Sequence, residues 1–107
     1  MASITTENRV ATLINVFTVD PKDQQQLVDL LTTATERTIK HLPGFVSASI
    51  HKSTDGTRVV NYAQWRSPGD LETMLKNPDA QEHIRPIMGI AQADPHLYDV
   101  VDTIPTP

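Results

Sequence analysis

The sequence predicts an α+β fold built from four antiparallel strands and two helical regions. Three observations support it: strand-like segments with period-two alternation, two helix starts that pair a capping residue with proline, and an Asp-Gly turn between the middle strands. A chain of 107 residues suffices for one domain but not two. We expect a single domain over residues 1–107, with polar tails at about 1–9 and 105–107.

The first strand is predicted over Val10–Val19, which is rich in β-branched and apolar residues. Period-two alternation divides it into two faces, one with Leu13, Asn15, Phe17 and Val19 and the other with Thr12, Ile14, Val16 and Thr18. The pair Asp20-Pro21 then starts a helix with an apolar face, and Pro43-Gly44 ends it.

A β-hairpin is predicted next. Phe45–His51 and Arg58–Trp65 both alternate, and the segment 53–57 between them contains Asp-Gly, a strong local turn signal. On the return strand, alternation places Val59, Asn61, Ala63 and Trp65 on one face.

The second helical region begins at Ser67-Pro68 and restarts at Asn77-Pro78, with Pro86 as a predicted kink or break. Residues Gly89–Pro95 are predicted to form a loop, and His96–Ile104 the last strand. The resulting order, β-α-β-β-α-β, is the ferredoxin-like split βαβ arrangement.

With both helical regions on one side of the sheet, the opposite side is left uncovered. The residues expected on that open face are apolar, namely Ile14, Val16, Ile50, Val60 and Val100. Because large apolar patches are rarely exposed, we expect a homodimer in which two sheets pack face to face. The alternative is a monomer with a partly covered sheet.

Composition excludes several classes of function. The net charge is −4 and the basic residues are scattered, so we expect no nucleic-acid partner. The chain contains no cysteine, and its four histidines include no pair at i and i+4, so we expect no metal site. No apolar run could span a membrane and residues 1–8 do not resemble a signal peptide, so we expect a cytoplasmic protein without a membrane partner.

Candidate site residues are polar side chains on otherwise apolar strand faces. Asn15 lies with Leu13 and Phe17, and Asn61 shares a face with Trp65. A buried asparagine either satisfies its hydrogen bonds within the core or faces a cavity, and both alternatives stay open for each residue alone. Two asparagines together favour a pocket between sheet and helices.

Three segments carry a resemblance to a known family: Pro43-Gly44-Phe45, His51 to Thr57, and the run Val59-Val60-Asn61-Tyr62-Ala63-Gln64-Trp65. The chain resembles the antibiotic biosynthesis monooxygenase superfamily, in its branch that forms quinones from anthrones. The resemblance implies a dimeric α/β barrel with one pocket per protomer. It also implies oxidation of an aromatic polyketide, an anthrone or phenol, to a quinone by O₂ without flavin, haem or metal.

The resemblance also assigns roles to residues. It implies that Asn61 and Trp65 donate hydrogen bonds to a developing enolate oxygen, and that Arg85 stabilises an anion or delivers a proton. Asn15 and His51 would contact the substrate, with His51 a candidate acid or base. The predicted substrate-binding set is completed by Phe17, Tyr62, Leu71 and Met74. Both charged candidates also have an alternative without a role in the reaction. Arg85 could be a solvated charge on a helix face, and His51 could be a surface residue at a strand end.

The chain departs from the family at two positions, and two other functions stay open. Leu71 stands where the quinone-forming branch has a tyrosine, so the proton donor is open. Met74 stands near a tryptophan of haem-degrading relatives, and without that tryptophan haem degradation is the weaker enzymatic alternative. A polyketide cyclase of the same fold is the other enzymatic alternative. A non-catalytic small-molecule-binding or stress-response dimer is the alternative of another class.

Overall fold

The computed structural model describes residues 10–107, and the predicted tail at residues 1–9 lies outside them. None of the helices in this part of the chain is long and apolar enough to cross a membrane. The elements in chain order are β1 (Ala11–Val19), α1 (Gln24–Arg37), β2 (Phe45–Lys52), β3 (Arg58–Trp65), α2 (Pro68–Lys76), α3 (Pro78–Met88) and β4 (Ala91–Tyr98).

The four strands form one antiparallel sheet in the order β2-β3-β1-β4. The helices pack on one side of it, where buried strand residues such as Phe17 and Val59 meet Leu27, Leu31 and Ile87. A second cluster surrounds Trp65 and contains Leu71, Met74 and Ala80. The predicted ferredoxin-like α+β fold is therefore confirmed.

The predicted helix starts are also confirmed. Asp20 Oδ1 accepts from the Lys22 N–H at 3.0 Å, Ser67 Oγ accepts from the Asp70 N–H at 3.1 Å, and Asn77 Oδ1 accepts from the Ala80 N–H at 3.0 Å. Each cap precedes a proline that has no N–H to satisfy. A short 3₁₀ turn, Pro21–Asp23, lies between the first cap and α1.

The prediction for the last strand was wrong. Residues 91–98 form β4, the predicted loop is mostly strand, and residues 99–107 have no regular structure. Proline disfavours a strand because it cannot donate a ladder hydrogen bond, and Pro95 lies within β4. However, β4 is an edge strand paired only with β1, with Pro95 opposite Asn15, so the missing donor is tolerated there.

Two residues assigned to the open sheet face were also misplaced. A β-bulge between Phe45 and Ser47 shifts the alternation of β2 by one residue. Ile50 consequently pairs with Asn61 and packs against the helix-side core. Val100 lies beyond the end of β4.

The break predicted at Pro86 is absent, because α3 continues past it to Met88. Pro86 stands two residues before the end of the helix, so few backbone hydrogen bonds follow the one it removes. This continuity keeps Ile84, Ile87 and Met88 on one helix above the sheet.

Candidate functional site

A cavity of about 360 Å³ lies between the helix-facing side of the sheet and the helices α1, α2 and α3. This volume is within the range of small-molecule sites. Its walls are mainly apolar, and the lining residues are Leu13, Asn15, Phe17, Leu31, Ala34, Thr35, Ile39, Asn61, Met74, Leu75, Ile84, Ile87, Met88, Ala93 and Pro95.

Two asparagine side chains provide most of the polar character of the cavity. Asn15 of β1 and Asn61 of β3 are directly paired residues in the antiparallel register, so their side chains project from the same face of the sheet. Directly opposed residues have Cβ atoms about 4.5–5.5 Å apart. The two amides can therefore contact the same ligand group.

The two amides differ in how their oxygens are satisfied. Asn15 Oδ1 accepts a hydrogen bond from the Asp94 N–H at 3.2 Å, which ties β1 to β4. Asn61 Oδ1 is buried, and no donor within residues 10–107 reaches it. A buried amide oxygen without a partner costs free energy, so hydrogen bonding within the core does not explain an asparagine at this position.

None of the lining side chains in residues 10–107 is titratable, since the polar ones are two asparagines and a threonine. A charge that develops inside this cavity would be stabilised by neutral dipoles in an apolar surround. The pKa of Asp55 is lowered to about 2, but Asp55 lies in the β2–β3 turn, where Ser53 and Thr57 donate hydrogen bonds to its carboxylate.

The predicted residues Phe17 and Met74 line the cavity together with Asn15 and Asn61. Leu71 instead lines a neighbouring cavity. Trp65 is not in the lining. It is 1% exposed, packs in the cluster that contains Leu71 and Met74, and meets the Phe45 ring edge-on at a centroid distance of 5.5 Å.

Three other predicted residues lie apart from the cavity. His51 pairs with Val60, and Tyr62 pairs with Ser49 and Ile14, so both belong to the opposite face of the sheet. The His51 ring is exposed, with Nε2 2.8 Å from Ser49 Oγ. Arg85 is exposed on α3, where it donates to Glu82 Oε1 at 3.2 Å. Their assigned roles stay predictions.

The sequence reasoning missed Ala93 and Pro95, because it assigned them to a loop. The alternation of Ala91, Ala93, Pro95 and Leu97 was the signal that could have found them. Residues 10–107 contain no group of three His, Asp or Glu side chains that could hold a metal ion.

Fold and cavity together define a small α+β domain with a largely apolar cavity whose floor carries a pair of neutral amides. Comparison with known proteins names the class. The antibiotic biosynthesis monooxygenase model matches residues 11–86, and the chain belongs to that family. It is therefore an oxidoreductase of the monooxygenase type.

Relatives agree with this assignment. The chain is 44% identical to the tetracenomycin-F1 monooxygenase of Streptomyces glaucescens over 94% of its own length and 89% of that protein. It is 30% identical to the monooxygenase from the gene ActVA-Orf6 of Streptomyces coelicolor, solved in complex with nanaomycin D, with a TM-score of 0.81 and coverage of 97% and 100%. SnoaB of Streptomyces nogalater, described as a cofactor-independent oxygenase, shares the fold at 22% identity, with a TM-score of 0.73 and coverage of 91% and 98%.

Proposed function

We propose that this chain oxidises an aromatic polyketide, an anthrone or related phenol, to a quinone with O₂ and without a cofactor. The observation that carries the proposal is the Asn15–Asn61 pair at the floor of an apolar cavity with no titratable lining among the described residues. The relationship to a tetracenomycin monooxygenase supports the polyketide substrate. The description of SnoaB supports the absence of a cofactor.

In the proposed reaction the substrate supplies all four electrons that reduce O₂, so no external reductant is needed. Loss of a proton from the anthrone methylene gives an enolate, which passes one electron to O₂. The resulting carbon radical and superoxide combine to form a C–O bond, and protonation gives a hydroperoxide. Loss of water, with the second methylene hydrogen leaving as a proton, yields the quinone carbonyl. One oxygen atom stays in the product and the other leaves as water.

The amides act where charge develops. The Asn61 Nδ2–H₂ group donates to the enolate oxygen. The apolar walls exclude bulk water from the reacting ring, which strengthens this interaction and protects the radical pair. Because the described lining holds no side-chain base, the first proton is transferred from the acidic substrate to a water molecule at the mouth of the cavity.

We assign Trp65 a positioning role, because it packs behind the walls formed by Leu71 and Met74. Arg85 and His51 would act at the rim or in the assembly, since both are exposed in the single chain. The apolar character of Leu71, in place of the family tyrosine, fits a site that takes its final protons from water.

We further propose that the chain works as a homodimer. Ile14, Val16, Val60 and Tyr62 form the centre of the sheet face opposite the helices. No helix of the described chain packs on this face, so a partner would remove its apolar centre from water. A second copy, related by a two-fold axis, would present the same face.

The test is oxygen uptake by purified protein, stripped of metal and free of flavin, with a panel of anthrones. We expect uptake to match quinone formation one to one and to exceed the spontaneous rate. Asn61→Ala should lower it about 100-fold or more, the typical effect of removing an oxyanion donor. Thr33→Ala, which changes an exposed residue of α1, is the control that should leave it unchanged.

Three outcomes would contradict the proposal. Activity that returns only when flavin or a metal is added would show that a cofactor is needed. Binding of anthrones without oxygen uptake would favour the non-catalytic alternative, and a Soret shift with added haemin would favour haem chemistry.

A further inference from the structure

A second cavity of about 300 Å³ adjoins the first, at the edge of the sheet between α2 and β4. It lies over the part of β1 and β4 where Leu13 pairs with Leu97 and Asn15 pairs with Pro95. The residues around it are Leu13, Asn15, Pro68, Leu71, Glu72, Leu75, Pro95, His96 and Leu97.

The two cavities share one floor. Leu13, Asn15 and Pro95 line both of them, and Leu75 is the one helical residue common to the two linings among residues 10–107. Leu75 projects from α2 and is 50% exposed, so its side chain has room to change rotamer. The arrangement is one cleft with two lobes, divided by Leu75 from above.

We propose that the second lobe is an extension subsite for the distal ring of a linear fused-ring aromatic, and that Leu75 sets the length of the ligand. This inference rests on the proposed function, because it takes the Asn15–Asn61 pair as the anchor of the oxygenated ring. From Asn15, which borders both lobes, the flat ring system continues over Pro95 and Leu97 beneath α2.

The chemistry of the second lobe fits such a ring. Its side walls are the aliphatic side chains of Leu71, Leu75 and Leu97, which bind a hydrocarbon surface through burial of apolar area. Its one acidic lining residue, Glu72, is exposed and stands at the rim. His96 belongs to the outer-face register of β4, so its ring points away from the floor.

Leu71 connects the second lobe to Trp65. It is 5% exposed, lines the second lobe only, and packs in the same cluster as Trp65. A ring bound against Leu71 therefore lies close to Trp65, which is the only tryptophan of the chain. Quenching of tryptophan emission consequently reports occupancy of the lobe, independently of turnover.

The experiment measures the Kd of two unreactive probes that differ by one ring, anthraquinone and the linear naphthacenequinone. Leu97→Phe fills the second lobe from the sheet edge, at a residue that is half exposed and tolerant of change. Met88→Phe is the matched control, because Met88 is similarly exposed and lines only the first lobe. Leu75→Ala removes the divider.

We expect the native chain to bind naphthacenequinone about tenfold more tightly than anthraquinone, the scale of a well-packed apolar addition. Leu97→Phe should reduce this preference to less than twofold and leave the Kd for anthraquinone unchanged. Leu75→Ala should increase the preference, and Met88→Phe should weaken both probes equally.

A preference that survives Leu97→Phe, or equal weakening of both probes in that variant, would overturn the subsite. These readouts separate the two proposals. Ring selectivity without oxygen uptake keeps the subsite and refutes the proposed reaction, whereas uptake with no effect of Leu97→Phe on selectivity does the reverse.

Discussion

Asn15 and Asn61 are directly opposed on β1 and β3, and both amides lie on the helix-facing side of the sheet. Only one of them is satisfied by the protein, since Asn15 Oδ1 accepts from Asp94 N–H while Asn61 Oδ1 is buried without a partner among the described residues. An amide that is costly in the free protein and adjoins an apolar cavity is placed for ligand rather than for stability.

The first prediction follows from this difference. Asn61→Leu should leave the free energy of unfolding unchanged or raise it by about 1 kcal/mol, because it removes an unsatisfied buried group. Asn15→Leu should lower it by about 1 kcal/mol, because it breaks the bond to Asp94. Urea denaturation measures both values. A clear loss of stability in Asn61→Leu would show that Asn61 serves the core.

Activity should change in the opposite sense for Asn61. The stable Asn61→Leu protein should lose about 100-fold or more of its oxygen uptake, since the Asn61 donor to the enolate is removed. Steady-state uptake on the same anthrones provides the measurement, with folding checked by circular dichroism.

Trp65→Phe separates packing from chemistry. Trp65 is almost fully buried between Phe45 and the Leu71–Met74 wall, so the smaller ring leaves a void. We expect a loss of about 2 kcal/mol in stability, less than the ~3–5 kcal/mol of truncation to alanine. Because Trp65 does not line the cavity, kcat of the folded variant should stay within several-fold of the native value while KM rises. A kcat loss as large as that of Asn61→Leu would make the indole a catalytic donor.

The turn before β3 should make stability depend on pH in the acid range. Hydrogen bonds from Ser53 and Thr57 lower the pKa of Asp55 from 3.8 to about 2 in the folded state. Because the pKa of Asp55 is lower in the folded than in the unfolded chain, ionised Asp55 stabilises the fold at pH values above its unfolded pKa. This contribution is lost as the pH falls from about 4 towards 2.

The native chain should therefore be more stable than Asp55→Asn at neutral pH, and the difference should shrink across that acid window. Denaturation curves at a series of pH values test this, with Asp102→Asn, at an exposed position of the C-terminal segment, as the control. A difference that persists unchanged at pH 2 would contradict the assigned cause.

The homodimer can be tested through the outer sheet face. Val16 and Val60 are paired there, so Val16→Arg would place a charge at the centre of the proposed interface. We expect sedimentation velocity to show a dimer for the native chain and a monomer for Val16→Arg. Thr32→Arg, at an exposed position of α1, should stay dimeric. A native chain that sediments as a monomer would refute the proposal.

Local signals in the sequence determined most of the fold and part of the site. Asp20, Ser67 and Asn77 each place an acceptor before proline, and the Asp55-Gly56 turn sets the hairpin. Alternation assigns Asn15 to one face of β1 and Asn61 to one face of β3. When the two strands pair, these two faces lie on the same side of the sheet. These features depend on residues close in sequence, so they can be inferred without a structure.

Only the tertiary structure decided the position of β4, the facing of β2 and the extent of the cavity. Pro95 is acceptable in a strand only because β4 lies at the sheet edge, which no local pattern reveals. The bulge after Phe45 reverses the faces of β2, since a one-residue shift exchanges them, and this removes His51 from the side of the cavity. The physical reason is the same in each case. Strand pairing between residues far apart in sequence determines which face of each strand is buried.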